Sequence, residues 1–191
     1  MPTTAILPVK RFEDAKERLK PDLGAGSRSA LASAMFSDVL SALGHTGSLD
    51  TVVLVSSESG VRDLVVGRDL TLIGDLPEKG QSHATRSGLA RAAALGYERA
   101  LLVPGDCPLI DPAELDELIV ELFAGRLDVV IVPDRHQQGT NGLLLSPAGS
   151  FEPQFGPDSL RRHVEQAKSR GLRYAVRELP SLALDIDTGE D

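Results

Sequence analysis

The sequence predicts a three-layer α/β/α fold built on a mixed, mostly parallel β-sheet. Short apolar runs that are typical of buried strands alternate with segments of helical periodicity through most of the chain. Aromatic residues make up only 4% and Trp is absent, so the core has to be built from Val, Leu, Ile and Ala. A length of 191 residues is typical of one domain. We therefore expect residues 1–191 to form a single domain.

Local patterns place the individual elements. Apolar and β-branched runs predict strands at 4–9, 51–55, 70–73, 100–103, 128–132, 142–145, 174–176 and 182–186. Helical spacing of apolar residues and helix-capping residues predict helices at 29–43, 59–66, 81–95, 112–123 and 159–170. The helix at 112–123 has the clearest start, because Asp111 can cap it and Pro112 suits its first turn. The last two strands interrupt the alternation, which predicts a mixed sheet.

Composition and charge argue against several classes of protein. The net charge of −8 disfavours a nucleic-acid binder, since such proteins usually present a basic surface. The single Cys excludes an internal disulfide and a Cys-based metal cluster. The N-terminal residues MPTTAILPVKRF do not resemble a signal peptide, and no apolar run approaches the ~20 residues of a membrane span. We expect a cytoplasmic protein with neither nucleic acid nor membrane as a partner.

Candidate functional residues concentrate after the predicted strands. In open α/β sheets, ligands bind beyond the carboxyl ends of the strands. Unusual segments fall at or near such ends, at 10–28, 80–83, 104–108 and 184–189. We therefore expect a binding site at this edge of the sheet.

Asp106 is the first candidate metal ligand. It lies in LLVPGDCPLI, between an apolar strand and an apolar turn. A carboxylate just past a buried strand suits Mg²⁺, which takes one or two carboxylates together with substrate phosphates. Alternatively, Asp106 only caps a turn by accepting hydrogen bonds from backbone N–H groups.

A second acidic group lies near the end of the sequence, in LDIDT. Alternation along a strand places Asp185 and Asp187 on the same face, where the two carboxylates repel each other unless water or a cation lies between them. Together with Asp106, they predict a metal site formed by residues far apart in the sequence. The alternative is a solvent-exposed edge without a ligand.

The segment 10–28 carries six basic residues against four acidic ones. Nucleotidyl transfer requires neutralisation of phosphate charge, and Lys10, directly after the first strand, is well placed for it. Lys16 and Arg18 follow in the same segment. A solvated helix with pairs Glu13–Lys16 and Asp14–Arg18 is the alternative. The sequence contains no phosphate-binding GxxxxGK[ST] or GxGxxG motif, so these cations and loop amides have to hold any phosphate.

A turn at Phe155-Gly156-Pro157 precedes the predicted helix that Ser159 opens. Helix N-termini favour anions, so a phosphate or carboxylate can bind against Ser159 and the Gly156 backbone. A simple helix cap is the alternative. Thr140 and Asn141 can join this site, although a turn before a strand also explains them.

Other reactive residue types offer weaker candidates. Cys107 is expected to pack in the core, because no motif pairs it with a base. The four His residues lack metal-ligand spacing. His163, in the helix that Ser159 opens, can approach the site.

Taken in order, several motifs make the sequence resemble the CofC/FbiD family of guanylyltransferases in coenzyme F420 biosynthesis. The matching stretches are ILPVKRFEDAKERL, LLVPGDCPL, GTNGLLL, FEPQFGPDSLRRHVEQA and LALDIDT, which together span nearly the whole chain. VPGDCPL occurs in many nucleotidyltransferases of the same superfold, whereas FGPDSLRRH after TN is the more specific signal. The resemblance implies a nucleoside-diphospho-sugar transferase-like, Rossmann-like fold.

The resemblance also implies an activity. GTP and a three-carbon phosphorylated acid combine to give a guanylylated product and pyrophosphate, with Mg²⁺ as the cofactor. Bacterial members act on phosphoenolpyruvate, archaeal ones on 2-phospho-L-lactate and some others on 3-phosphoglycerate. We favour phosphoenolpyruvate, which gives enolpyruvoyl-2-diphospho-5'-guanosine, because the Ala-, Arg- and Gly-rich composition is typical of bacteria. A monomer or homodimer that couples transiently to the next pathway enzyme is expected.

The family's functional positions can be carried over residue by residue. Metal-binding positions match Asp106, Asp185 and Asp187; nucleotide-binding positions match Lys10, Lys16, Arg18, Gly80, Gln81, Ser82 and Asp106; acid-binding positions match Thr140, Asn141, Gly156 and Ser159. Lys10 and Asp106 are the expected catalytic residues. The loop 75–82 departs from the family's glycine-rich, Asn-containing base loop and keeps only Gly80, followed by Gln81 and Ser82.

Rival functions come from other classes. A molybdenum-cofactor cytidylyl- or guanylyltransferase shares VPGDCPL but not the FGPDS segment. A non-catalytic nucleotide-binding regulator does not require the acidic and basic residues that follow the strands. A dinucleotide-dependent oxidoreductase requires a glycine fingerprint that this sequence lacks.

Overall fold

The computed structural model describes residues 1–67, 69–74 and 80–191. Its strands are β1 (Thr3–Val9), β2 (Thr51–Ser56), β3 (Leu70–Ile73), β4 (Arg99–Leu102), β5 (Val129–Pro133), β6 (Thr140–Leu145) and β7 (Tyr174–Val176). Its α-helices are α1 (Ala25–His45), α2 (Val61–Leu64), α3 (Gln81–Ala94), α4 (Pro112–Ala124), α5 (Ser159–Ser169) and α6 (Pro180–Ala183). Short 3₁₀ turns occur at Phe12–Asp14, Glu17–Leu19 and Ala148–Ser150.

Within the described residues, the strands form one seven-stranded sheet in the order β3-β2-β1-β4-β6-β5-β7. Neighbouring strands are parallel except for β6, which runs antiparallel to both β4 and β5. The predicted mixed, mostly parallel sheet is confirmed, but the reason given for it was wrong, since the late strand β7 is parallel to β5. The connection 134–139 is too short for a crossover, which needs a dozen or more residues, so β6 returns antiparallel.

Helices cover both faces of the sheet, as the three-layer prediction requires. Alternate residues of β1 enter different cores: Leu7 joins the core with α1 and α4, whereas Ile6 joins the core with α3 and α5. Both side chains are fully buried. The parallel strands therefore read as continuous apolar runs because each face has its own helical layer.

Asp111 caps α4 as predicted, because its Oδ1 accepts a hydrogen bond of 2.8 Å from the backbone N–H of Ala113. Helix α1 begins at Ala25, earlier than expected, and continues past Gly44. None of the helices in the described part of the chain has the length and apolar character needed to cross a membrane.

The predicted strand at 182–186 is wrong. Pro180–Ala183 forms the single turn α6, and residues 184–187 have no regular structure. The side-chain amide of Asn141 donates to the carbonyls of Leu182 and Ala183, and the backbone N–H of Ile186 donates to the Asp106 carbonyl. These contacts satisfy the backbone of the segment across the edge of the sheet, so it does not add a strand.

Replacing Gly88 by Ala is expected to destabilise the protein. Gly88 lies on α3, where a Cβ atom would approach within 2.4 Å of Ile6 Cγ2 and 3.1 Å of Val55 Cγ2. Both neighbours are buried β-branched residues of the sheet, so the helix has to move outward, at a cost of about 1–3 kcal/mol. Thermal unfolding of Gly88→Ala would show a lower Tm.

The matched control for this change is Gly44→Ala. Gly44 is also helical, but its Cβ would meet no heavy atom within 4 Å. Alanine there is expected to leave the Tm unchanged or raise it, since Ala has the higher helix propensity. Equal Tm values for the two variants would contradict the close helix–sheet packing at Gly88.

Candidate active site

A cleft of about 710 Å³ lies at the carboxyl edge of the parallel strands. All but one of the sequence-predicted site residues line it. They are Lys10, Lys16, Arg18, Gly80, Gln81, Asp106, Thr140, Asn141, Gly156, Ser159, Asp185 and Asp187. The exception is Ser82. The strand topology therefore brings together residues from both ends of the sequence.

The strand directions explain this convergence. Lys10 follows β1, and Asp106 follows β4, its parallel neighbour. Because β6 runs antiparallel, its first residues, Thr140 and Asn141, lie at the same edge as the carboxyl ends of β4 and β5. The sequence predicted that the strand begins at residue 142, whereas in the structure it begins with these two residues.

Lys16 lies between the carboxylates of Asp106 and Asp187. Its Nζ is 2.6 Å from Asp106 Oδ2 and 3.0 Å from Asp187 Oδ1, and only 6% of its side chain is exposed. Lys16 adopts φ = 56°, a left-handed conformation that is uncommon outside glycine. This backbone conformation occurs just before the turn Glu17–Leu19, where the chain turns the ammonium group into the cleft.

The ion pairs of Lys16 shift its pKa. Burial lowers the pKa, but the Asp106 and Asp187 carboxylates more than offset this, so the pKa lies above its usual range. The alternative of local helical pairs at Glu13–Lys16 is wrong, since Glu13 pairs with Arg11 in a segment of 3₁₀ turns. The cation of Lys16 is therefore part of the cleft.

Asp187 is fixed by contacts on both its side chain and its backbone. Arg18 lies 3.3 Å from its Oδ2, at the solvent side of the cleft. Asp191 Oδ2 accepts hydrogen bonds from the backbone N–H groups of Asp187 (2.7 Å) and Thr188 (2.6 Å), and the Asp191 side chain also pairs with Arg135. Sequence reasoning missed Asp191, because an Asp in a turn usually accepts from backbone N–H groups that follow it, whereas Asp191 accepts from groups three and four residues before it.

Asp185 is partly buried beside Asn141. Asn141 Nδ2 donates to its Oδ1 over 3.2 Å. Burial raises the pKa of Asp185, the charges of Asp106 and Asp187 raise it further, and the Asn141 hydrogen bond opposes both effects in part. The three carboxylates therefore interact electrostatically, and a cation at this point is favoured.

The side chains of Asp106, Asp185 and Asp187 are chemically suited to bind a cation. Lys16 Nζ shows that Asp106 Oδ2 and Asp187 Oδ1 converge on one point. Their donor atoms are carboxylate oxygens, which are the ligands that Mg²⁺ prefers. Within residues 1–67, 69–74 and 80–191, however, no three His, Cys, Asp or Glu side chains are already arranged to hold a metal ion.

The other wall of the cleft is the N-terminus of α5. Gly156 has φ = 109°, which suits glycine, and the Ser159 N–H donates to the Gly156 carbonyl over 3.1 Å. Ser159 is 1% exposed. Arg162 donates to the carbonyls of Gln154, Phe155 and Pro157, so it braces the turn before the helix.

Two residues with reactive side chains lie outside the cleft. His163 is fully buried behind Thr140, with 3.0 Å between Thr140 Oγ1 and His163 Nδ1. Cys107 is also fully buried, as predicted, and burial raises the pKa of its thiol well above the usual range. Neither residue can reach a substrate in the cleft.

The profile of a family described as "Guanylyl transferase CofC like" matches residues 3–191. The chain belongs to this family. The CofC-like chain is 47% identical to a phosphoenolpyruvate guanylyltransferase from Conexibacter woesei, over 100% of this chain and 86% of the relative. It is also 35% identical to a 2-phospho-L-lactate guanylyltransferase from Methanothermobacter thermautotrophicus, over 100% of this chain and 82% of the relative.

A third relative extends the range of acceptor acids. It is a 3-phospho-D-glycerate guanylyltransferase from Phenylobacterium zucineum, 36% identical over 98% of this chain and 86% of the relative. Family membership makes the CofC-like chain an enzyme of the nucleotidyltransferase class and favours guanylyl transfer over the molybdenum-cofactor alternative. It also confirms the resemblance predicted from the motifs.

Solved structures show the same fold in more distant proteins. A nucleotidyl transferase from Methanothermobacter thermautotrophicus aligns with a TM-score of 0.67 at 18% identity, over 99% of this chain and 93% of the other. A 4-diphosphocytidyl-2C-methyl-D-erythritol synthase from Anaerococcus prevotii aligns with a TM-score of 0.65 at 14% identity, over 99% and 92%. The predicted nucleotidyltransferase fold of the CofC-like chain is thus confirmed.

A further part of the cleft of the CofC-like chain is formed by the start of α3. Gly80, with φ = 84°, and Gln81 line the cleft. The hydroxyl of Ser82 instead accepts a hydrogen bond of 3.0 Å from the Phe155 N–H, so it links α3 to the turn before α5. The rest of the predicted base loop, 75–79, lies outside the described residues.

Proposed function

We propose that this protein transfers the guanylyl group of GTP to the phosphate of phosphoenolpyruvate, as a single domain in coenzyme F420 biosynthesis. In the reaction, an oxygen of the acceptor phosphate bonds to the α-phosphorus of GTP, and the bond from that phosphorus to pyrophosphate breaks. The 47% identity with a phosphoenolpyruvate guanylyltransferase over the whole chain supports this acceptor. Relatives named for 2-phospho-L-lactate and 3-phospho-D-glycerate make these acids the alternatives.

The observation that carries the proposal is the convergence of opposite charges in one cleft. Both substrates are anions and repel each other, so they need cations between them. Lys10, Lys16 and Arg18 line the cleft beside three carboxylates that can hold a further cation. A cleft with this charge pattern suits the meeting of a triphosphate and a phosphorylated acid.

We assign Mg²⁺ to Asp106 and Asp187, with Asp185 beside them. When bound, the ion supplies positive charge that offsets the phosphate charges. Asp106 and Asp187 direct one oxygen each at a common point, whereas Asp185 is tied to Asn141. This geometry favours Asp187 over Asp185 as the main partner of Asp106.

The chain's cations then act on the triphosphate. Lys10 is exposed at the cleft, and within the described residues it forms no ion pair, so it can bind a phosphate oxygen directly. Lys16 lines the same cleft, and with a cation held by the carboxylates its ammonium group would be available to the phosphates as well. Both stabilise the negative charge that develops on the leaving pyrophosphate.

The acid binds at the wall formed by α5. Thr140, Gly156 and Ser159 present a hydroxyl, a turn backbone and a helix N-terminus to the same part of the cleft. We assign Asn141 to positioning rather than to acid binding, since its amide nitrogen donates to the Leu182 carbonyl and to Asp185. No general base is required, because the attacking phosphate is ionised at neutral pH.

Pyrophosphate release tests the proposal. Purified protein is given GTP and Mg²⁺ with phosphoenolpyruvate, 2-phospho-L-lactate or 3-phosphoglycerate, in the presence of the next pathway enzyme to trap an unstable product. Release with phosphoenolpyruvate that EDTA abolishes is expected. Release with another acid only would reassign the acceptor, and GTP binding without release, with or without metal, would favour the non-catalytic regulator.

A further inference from the structure

His163 lies immediately behind the acid-binding wall. It is 0% exposed and does not line the cleft. Its ring lies against those of Phe151 and Phe155, with centroid distances of 5.5 and 5.6 Å. An imidazole enclosed in this way cannot rotate freely, so its hydrogen bonds are fixed in direction.

The backbone determines which ring nitrogen carries the proton. The Gln154 N–H donates to His163 Nε2 over 2.8 Å. A backbone N–H can only donate, so Nε2 has to be the unprotonated nitrogen of the neutral ring. The proton is therefore on Nδ1, which donates to Thr140 Oγ1 at 3.0 Å.

This hydrogen bond determines whether the Thr140 hydroxyl donates or accepts a hydrogen bond on the side of the cleft. The oxygen accepts from His163, so the hydroxyl proton remains available for another partner. Among the described residues, the hydroxyl of Thr140 makes no further hydrogen bond, and Thr140 lines the cleft. A ligand atom beside it has to be an acceptor, as the oxygens of a carboxylate or phosphate are.

The ring also stays neutral at physiological pH. Burial lowers the pKa of His163 to about 4, and the charge of Arg162 acts in the same direction. Protonation would place an N–H at Nε2 against the Gln154 N–H. The direction of the hydrogen-bond chain is thus maintained wherever the enzyme works near neutrality.

We propose that His163 is a positioning residue that holds the Thr140 hydroxyl as a hydrogen-bond donor to an anionic oxygen of the acceptor acid. The series of hydrogen bonds runs from the Gln154 N–H through the imidazole and the Thr140 hydroxyl to the ligand. This role rests on the proposed function, since it assumes that the acid binds beside Thr140. It makes a residue that never touches substrate responsible for part of the acid specificity.

Two amide substitutions test the contributions of the two ring nitrogens separately. In His163→Asn, the side-chain amide nitrogen takes the place of Nδ1 and can still donate to Thr140. In His163→Gln, the longer side chain reaches the place of Nε2 and can accept from Gln154, but leaves Thr140 without its donor. We expect His163→Gln to raise the KM for the acid by about 10- to 100-fold, as for loss of a hydrogen bond to a charged group, with KM for GTP unchanged. The rise for His163→Asn is expected to be several-fold smaller.

A double-mutant cycle with Thr140→Val tests whether His163 acts through Thr140. Once the hydroxyl is gone, adding His163→Gln is expected to raise the acid KM no further. The role would be overturned if His163→Gln raised the acid KM of the Thr140→Val protein as much as it raises that of the wild type. Equal effects of the two His163 variants on the acid KM would also overturn it. So would an equal rise in the KM for GTP.

The tautomer can be measured without turnover. Nitrogen-15 NMR of the wild-type His163 ring is expected to show a protonated Nδ1 and an unprotonated Nε2 near pH 7; the opposite tautomer would overturn the inference even if no variant folds. Active wild-type protein with an unaffected His163→Gln variant would contradict only the role of His163. Wild-type protein that releases no pyrophosphate with any acid would contradict the proposed function itself.

Discussion

Replacing Asp106 by Asn is expected to lower guanylyl transfer by about 1,000-fold or more while the protein remains folded. Asn has nearly the same shape, so packing is preserved. It removes, however, the charge that meets Asp187 at a common point and leaves Lys16 with Asp187 as its partner. The affinity for Mn²⁺, used as a probe of the proposed magnesium site, is expected to fall as well.

Steady-state pyrophosphate release and Mn²⁺ titration check this prediction. Asp38→Asn is the matched control, since it makes the same chemical change on an exposed position of α1 away from the cleft. Circular dichroism and thermal unfolding of both variants establish that the fold is intact. Unchanged turnover in Asp106→Asn would remove the metal assignment.

The second large effect is expected from Lys16→Met. Methionine is of similar length but uncharged, so the phosphates lose one cation, and turnover is expected to fall by about 100-fold. The affinity for divalent ions is expected to increase, in contrast to the turnover. Because the ammonium of Lys16 competes for Asp106 Oδ2 and Asp187 Oδ1, its removal leaves these carboxylates free and should tighten Mn²⁺ binding to the nucleotide-free protein.

Lys20→Met provides the control for this prediction. Lys20 belongs to the same basic segment, but it pairs with Glu17, is 54% exposed and does not line the cleft. Turnover and Mn²⁺ binding of the two variants would be compared at one ionic strength. Weaker Mn²⁺ binding in Lys16→Met than in wild type would show that Lys16 supports the ion rather than competing with it.

The layered fold could be predicted because its signals are local. Apolar runs such as that of β1 are buried on both faces, and Asp111 with Pro112 marks the start of α4. The segment 182–186 was wrongly predicted to be a strand, because alternating apolar residues and Asp are typical of a strand. Its true conformation depends on Asn141, about forty residues earlier in the sequence, which binds its carbonyl groups.

Parts of the site could be predicted for a similar reason. Lys10 and Asp106 follow strands, and the carboxyl ends of parallel strands meet at one edge. The contacts that hold the site together could not be predicted, because they join distant parts of the chain. Lys16 reaches Asp106 across 90 positions, and Ser82 reaches Phe155 across 73, so local spacing carries no signal for either contact.

The first two residues of β6 face opposite sides of the sheet. Thr140 meets His163 of α5, whereas Asn141 meets Leu182 and Asp185. Under the proposed roles, we therefore expect the choice of acid and the retention of the metal to depend on opposite faces of β6. Relatives that accept different acids can therefore diverge in the segment 151–163 while the carboxylate side stays the same. Exchanging that segment between relatives is the natural route to a new acceptor.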